Sequence, residues 1–271
     1  MALGAGLRAV VTGAGSGLGR AFCEELASRG ASIVGADVNE AGLRETGARL
    51  GGARWETFLG DVSRRSTVED LHRFALERLG GVDLVINNAG VAVAGELGSV
   101  SEADWGFIVG VNLLGVAHGC EVFVPTMRAQ RSGHVLNVAS LAGLVSSPGM
   151  GPYNATKAAV VALSETLYGE LRGTGVGVTV LCPSFFPTNI ARDGRGSDER
   201  MKALAESLMK RSPITARDVA RIALDGAAKG RLYVLPHREG KVLWWLKRGA
   251  PKAFYDGTAA ALARVRKRFG A

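Results

Sequence analysis

The chain has 271 residues, 47% of them hydrophobic, with 38 glycines and a formal net charge of +8. That size and apolar content supply a full core for one large α/β domain or two small ones, and so many glycines suit tight strand-to-helix turns better than a helical bundle. Between residues 237 and 271, nine basic residues face only Glu239 and Asp256, which places +7 of the +8 in the tail. A nucleic-acid reader carries its charge on the folded body, so that class is excluded here.

Cys23, Cys120 and Cys182 are widely spaced, odd in number and form no metal-ligand pattern, so they read as buried thiols of a reducing compartment, with no metal expected. The chain does not open on a basic segment followed by a long apolar run. No run of about 18 uncharged apolar residues is evident either. Neither a secretory signal nor a membrane-spanning helix is expected, and the expected location is cytoplasmic.

Residues 7–11 read as a buried strand that runs into Gly13, Ala14, Gly15, Ser16, Gly17, Leu18 and Gly19, and then into a helical pattern. Strand, glycine turn and helix form the setting of a dinucleotide fingerprint: backbone can approach a pyrophosphate, and the helix start offers free N–H groups. A second strand, 32–36, ends at Asp37. An acid about 20 residues past the turn can accept hydrogen bonds from ribose hydroxyls and repels a 2′-phosphate, which favours NAD over NADP. Asp37 could instead cap the helix expected over 40–50, although Asn39 can fill that role.

Residues 55–59 form a third strand, ending in Gly60, Asp61 and Val62, and a helix follows over about 66–79. A fourth strand, 82–86, stops at Asn87, Asn88, Ala89 and Gly90. A long helical region over about 101–127 contains Asn112. A fifth strand, 134–139, leads to Ser140. The helix over about 151–171 carries Tyr153 and Lys157, four apart and therefore on one face. An ammonium near a phenol favours the phenolate, so Tyr153 can trade a proton. A sixth strand, 176–181, precedes Pro183, Ser184, Phe185, Phe186 and Thr188. The polar, glycine-bearing segment 185–212 has the character of a substrate lid. A helix over 216–229 and a last strand over 232–235 complete the pattern. Strands alternating with helices predict a doubly wound parallel sheet of about seven strands, with ligands beyond the strands' carboxyl ends.

These motifs in this order resemble the short-chain dehydrogenase/reductase family in its short single-domain branch, over residues 5–236. The resemblance implies that Tyr153 is the general acid/base on a substrate oxygen, oriented by Ser140. It implies that Lys157 binds the nicotinamide ribose and lowers the Tyr153 pKa, and that Asn112 holds a water relay. Asp61 and Val62 would flank the adenine. Asn88, Ala89 and Gly90 would line the cofactor cleft, and Pro183 and Thr188 would lie beside the nicotinamide. The implied activity is NAD(H)-dependent hydride transfer with an alcohol or ketone, in a homodimer or homotetramer paired through the two long helices. Ser184 departs from the family's usual glycine. With Phe185 and Phe186 after it, an apolar substrate pocket of Leu141, Leu144, Val145, Met150, Phe185 and Phe186 is expected. A non-catalytic dinucleotide sensor or scaffold is the competing class, and the set Asn112, Ser140, Tyr153 and Lys157 argues against it. The 237–271 extension joins Trp244 and Trp245 to lysines and arginines. It reads either as an amphipathic contact with a membrane surface, which would suit a fatty acyl-CoA or aldehyde reductase, or as packing on the body or a neighbouring subunit.

Overall fold

The computed structural model describes residues 4–188, 190, 194–195 and 207–268, with side chains to residue 260. Seven strands alternate with helices: β1 (Arg8–Thr12), α1 (Gly17–Ser28), β2 (Ser32–Asp37), α2 (Glu40–Ala48), β3 (Trp55–Leu59), α3 (Arg65–Leu79), β4 (Leu84–Asn87), α4 (Glu102–Val109), α5 (Gly115–Gln130), β5 (Gly133–Val138), α6 (Gly151–Glu170), β6 (Val176–Leu181), α7 (Ala216–Ala228) and β7 (Tyr233–Val234). Two further helices follow, α8 (Arg238–Gly249) and α9 (Pro251–Arg268). The strands are apolar throughout their length because both sheet faces are covered. Val11, Ile33 and Ile86 pack on the face beneath α1 and α7, whereas Val10, Val34 and Val85 pack on the face beneath α3, α5 and α6.

All pairings are parallel, in the order β3-β2-β1-β4-β5-β6-β7. The order reverses between β1 and β4, where the crossovers diverge to opposite faces and leave a crevice at the carboxyl ends. The expected doubly wound sheet is therefore present. The boundaries of its elements lie within three residues of the sequence reading.

Two expectations need correction. The continuous helical run Glu102–Gln130 is long and apolar enough, by length and composition, to cross a membrane. Its apolar residues answer to the core instead: Ile108, Val116, Cys120, Phe123, Val124 and Met127 are buried. The run is also not one regular helix. A π-turn over Gly110–Leu114 divides it, with Asn112 fully buried inside. Its amide explains the irregularity: Oδ1 accepts from the Val91 N–H at 2.8 Å and Nδ2 donates to the Val91 carbonyl at 2.9 Å. The widened turn thereby ties the helix to the segment after β4.

A buried polar cluster locks β4 and β5 to the helices behind them. Asn87 Nδ2 donates to Asn137 Oδ1 at 2.8 Å, and Asn137 Nδ2 donates to Ser164 Oγ at 3.0 Å. Gly119 on α5 leaves the space that Asn87 fills, since a Cβ there would run into the Asn87 carboxamide. Gly119→Ala is expected to destabilise the protein by ~1–3 kcal/mol through overpacking. A urea midpoint unchanged from wild type would show that the cluster yields.

Candidate active site

The crevice is one cavity of about 1100 Å³ that runs from the β1 turn to the amino end of α8. Its first end is built from backbone. Thr12 Oγ1 accepts from the Asn88 N–H at 3.0 Å and the Ala89 N–H at 3.1 Å, and Asn88 Nδ2 donates to the Thr12 carbonyl at 2.8 Å. These bonds hold the glycine turn against the end of β4. Gly19 admits no side chain, because a Cβ would strike the Gly13 carbonyl oxygen. Gly17 takes φ +51° at the start of α1, and nothing there crowds closer than Thr188 at 3.8 Å. Ser16 precedes α1 in extended conformation without capping it through its side chain. The first N–H groups and the positive end of the helix dipole therefore open on the cavity, a cradle suited to a pyrophosphate.

Asp37 ends β2, and Asp61 lies two residues past β3, along the same wall. Asp37 Oδ2 accepts from the Gly15 N–H at 2.8 Å and Oδ1 from the Asn39 N–H at 2.9 Å. Asn39, as expected, caps α2, accepting from the Gly42 N–H at 3.0 Å. Asp61 accepts from the Ser63 N–H at 2.9 Å, with Val62 beside it. The nearby Arg20 guanidinium turns away, to Glu45, Thr46 and the Gly15 carbonyl.

At the other end, Ser140, Tyr153 and Lys157 line the same cavity. Ser140 follows β5, and the Leu141 N–H donates to the Pro183 carbonyl at 2.8 Å, joining the ends of β5 and β6. Lys157 is 2% exposed, and Nζ donates to the Val138 carbonyl at 2.9 Å. Burial brings its ammonium down to about 8, and the neighbouring Cys182 thiol offsets this slightly. Burial pushes the Tyr153 phenol above its ordinary value, and a hydrogen bond with Ser140 only partly opposes it. The expected lowering of the Tyr153 pKa by Lys157 is thus not seen here. Desolvation dominates, and Nζ, spent on Val138, lies 5.8 Å from the phenol ring centre. Gly90 lies between Lys157 and Asn112: a Cβ on it would be 3.4 Å from Nζ and 3.3 Å from Asn112 Oδ1.

Pro183, Thr188, Leu141, Val145, Met150, Phe185 and Phe186 line the cavity as well. Leu144 does not. It is 6% exposed in the core, because the 3₁₀ turn Leu141–Gly143 points the residue after it inward. The lid expected over 185–212 falls partly outside the described residues. Of those described, Ile190, Arg195, Leu208 and Met209 face the cavity.

Among the contributors that the sequence reading did not name are Phe107 on α4 and three residues of the tail. Glu239 and Leu243 line the cavity. His237, 4% exposed, accepts the Ser184 N–H at Nδ1 (3.1 Å) and faces the Phe186 ring with centroids 6.2 Å apart. Its Nε2 has no hydrogen-bond partner among the described residues. A neutral imidazole that accepts at Nδ1 carries its proton on Nε2. The only available signal was a histidine directly after the last strand. His237→Asn places an amide oxygen where Nδ1 sits and is expected to keep kcat/KM within about threefold, whereas His237→Ala frees the Ser184 backbone and lowers kcat/KM on the order of tenfold. Equal losses in both variants would show that the hydrogen bond is immaterial.

The short chain dehydrogenase family model matches residues 8–198. A crystal structure of a short chain dehydrogenase/reductase from Burkholderia phymatum in complex with NAD superposes with a TM-score of 0.89 at 40% identity, covering 93% of this chain and 96% of that one. An uncharacterised oxidoreductase of Staphylococcus epidermidis is 34% identical over 200 residues, 74% of this chain and 86% of its own. An alcohol dehydrogenase of the archaeon Thermococcus sibiricus, solved with 5-hydroxy-NADP, matches with a TM-score of 0.72 at 26% identity, over 84% of this chain and 94% of that one. The fold is thus one that binds nicotinamide dinucleotides, and the chain belongs to the short-chain dehydrogenase/reductase family of oxidoreductases.

Proposed function

We propose that this protein is an NAD(H)-dependent dehydrogenase or reductase acting on an apolar secondary alcohol or its ketone. The observation that carries the reading is the convergence of Ser140, Tyr153 and Lys157 at one end of a cavity whose other end is an uncapped helix N-terminus. Bound there, the nicotinamide would accept or supply the hydride. Gly13, Gly15, Ser16, Gly17, Leu18 and Gly19 would hold the pyrophosphate. Asp37 would take the adenosine ribose, and Asp61 and Val62 the adenine. Asn88, Ala89, Gly90, Pro183 and Thr188 would line the nicotinamide half. Asp37 favours NAD, because Arg20, the nearest cation, is already committed to Glu45.

The proton is the protein's task. Tyr153 takes it from an alcohol oxygen, or gives it to a carbonyl oxygen, while Ser140 holds that oxygen by a hydrogen bond. Lys157 binds ribose hydroxyls and keeps a positive charge near the phenol. The space beside Gly90, between Asn112 Oδ1 and Lys157 Nζ, suits a water that passes the proton outward. Phe107, Leu141, Val145, Met150, Phe185 and Leu243 give the substrate end an apolar wall, which supports a lipid-, steroid- or retinoid-like substrate. The exposed small residues Ala155, Ala158 and Ala162 on α6, with Leu114 at 44% exposure beside α5, support pairing of copies through these helices.

A screen of alcohols and ketones with NAD and NADP, followed by absorbance of the reduced nicotinamide, tests the reading. Wild type is expected to turn over apolar substrates with NAD. Tyr153→Phe is expected to lose turnover by at least about a thousandfold while still binding NADH. Turnover surviving in that variant would remove Tyr153 from the mechanism. A panel in which small polar alcohols are the better substrates would remove the apolar pocket. The raised Tyr153 pKa adds a pH signature. Its acid form is already present at neutral pH, so carbonyl reduction should be flat there, while alcohol oxidation should climb toward tenfold per pH unit until the phenol titrates. Identical pH profiles in the two directions would contradict this.

A further inference from the structure

Helix α8 has two different faces. Gly240, Leu243, Trp244 and Lys247 point to the body: Gly240 is buried against Leu141, Leu243 lines the cavity, Trp244 stacks on Tyr233 with centroids 5.0 Å apart, and Lys247 Nζ donates to the Leu144 carbonyl at 2.8 Å. Those contacts fix the helix and decide which side is left over. The outer face carries Val242, Trp245 and Leu246, at i, i+3 and i+4, with exposures of 58%, 67% and 57%. Arg238, Lys241 and Arg248, all exposed and separated by three and then seven residues, run as a stripe beside that apolar patch. Arg248 lies over both tryptophans, 5.5 and 5.9 Å from their ring centres.

A solvent-facing tryptophan between two aliphatic residues is not the outer face of an ordinary surface helix. The charge identifies the occupant. A second copy docking on the same face would bring two like-charged tails together, each holding +7 between residues 237 and 271. An anionic surface answers the basic stripe, while its interior takes the apolar residues at headgroup depth. We propose that the outer face of α8 seats this protein on an anionic lipid bilayer. Val242, Trp245 and Leu246 enter the interface, and Arg238, Lys241 and Arg248 lie against phosphates. Because Leu243 and Glu239 of the same helix border the cavity, docking holds its mouth beside the bilayer. An apolar alcohol or ketone then reaches Tyr153 from the membrane rather than through water. This last step rests on the apolar-substrate reading; the docking itself does not.

Co-sedimentation of the full-length protein with vesicles tests it. Wild type is expected to pellet with phosphatidylcholine–phosphatidylglycerol vesicles, to stay in solution with phosphatidylcholine alone, and to be released by high salt. Trp245→Glu, and separately the pair Lys241→Glu and Arg248→Glu, should each weaken binding on the order of tenfold or more. Trp245→Glu should leave turnover of a water-soluble ketone in free solution unchanged, because Trp245 touches neither cavity nor cofactor cradle. Loss of that solution activity in wild type would defeat the dehydrogenase reading and leave the docking result standing. The proposal is overturned if wild type does not bind the anionic vesicles, or if Trp245→Glu binds them as well as wild type. It is equally overturned if Trp245→Glu reduces the oligomer mass, since the patch would then be a contact between copies.

Discussion

A lysine ammonium sits almost fully buried at Lys157, and among the described residues no carboxylate pairs with it. One carbonyl, that of Val138, accepts a hydrogen bond from it, and burial brings its pKa down to about 8. An uncompensated buried cation costs stability, and a fold keeps one only where the surroundings are rigid enough to hold it. Much of the structure here serves that end. The parallel sheet delivers Val138 at the tip of β5, and α6 brings Lys157 back across it. The buried network of Asn87, Asn137 and Ser164 fastens β4, β5 and α6 together just beneath. The same strand ends hold Gly90 and the π-turn at Asn112 against the ammonium. A cation with no carboxylate beside it among the described residues keeps donors free for an external partner, and a ribose with adjacent hydroxyls would be one.

The second half of the cleft is held from a distance. β6 ends in Pro183 and Ser184, and the path beyond it is fixed from two sides. Leu141 donates to the Pro183 carbonyl, and His237 receives the Ser184 N–H. Helix α8 is therefore part of the cavity wall through Leu243, and Lys247 ties it to the Leu144 carbonyl. The cavity lining and the exposed apolar patch of Val242, Trp245 and Leu246 are then two faces of α8.

The sheet and the shared placement of Ser140, Tyr153 and Lys157 on one cavity were legible in the sequence because each rests on local rules. Buried strands read as apolar runs, the glycine turn follows β1, and Tyr153 and Lys157 lie one helical turn apart. What escaped was set by contacts distant in sequence. The π-turn at Asn112 depends on Val91, 21 residues away, and nothing in the helical pattern around it announces a widened turn. His237 meets Ser184 across 53 residues, so the departure at Ser184 was visible while its partner was not. Leu144 was expected with its apolar neighbours Leu141 and Val145 in the pocket, but the 3₁₀ turn rotates it into the core. The Tyr153 pKa was misjudged because sequence spacing reports that a charge is near and says nothing of how much water has been removed.

The buried Lys157 ammonium costs the fold stability. Its folded pKa lies below the ordinary lysine value. The burden is therefore fully present below about pH 8, and it lifts as the pH rises through the ordinary lysine range. Lys157→Met, examined by thermal unfolding and by nicotinamide-linked turnover on the same preparation at neutral pH, is the direct measurement. The expected result is a gain of stability on the order of 1–3 kcal/mol together with loss of turnover. A variant that is less stable than wild type, or that keeps its turnover, would contradict the account.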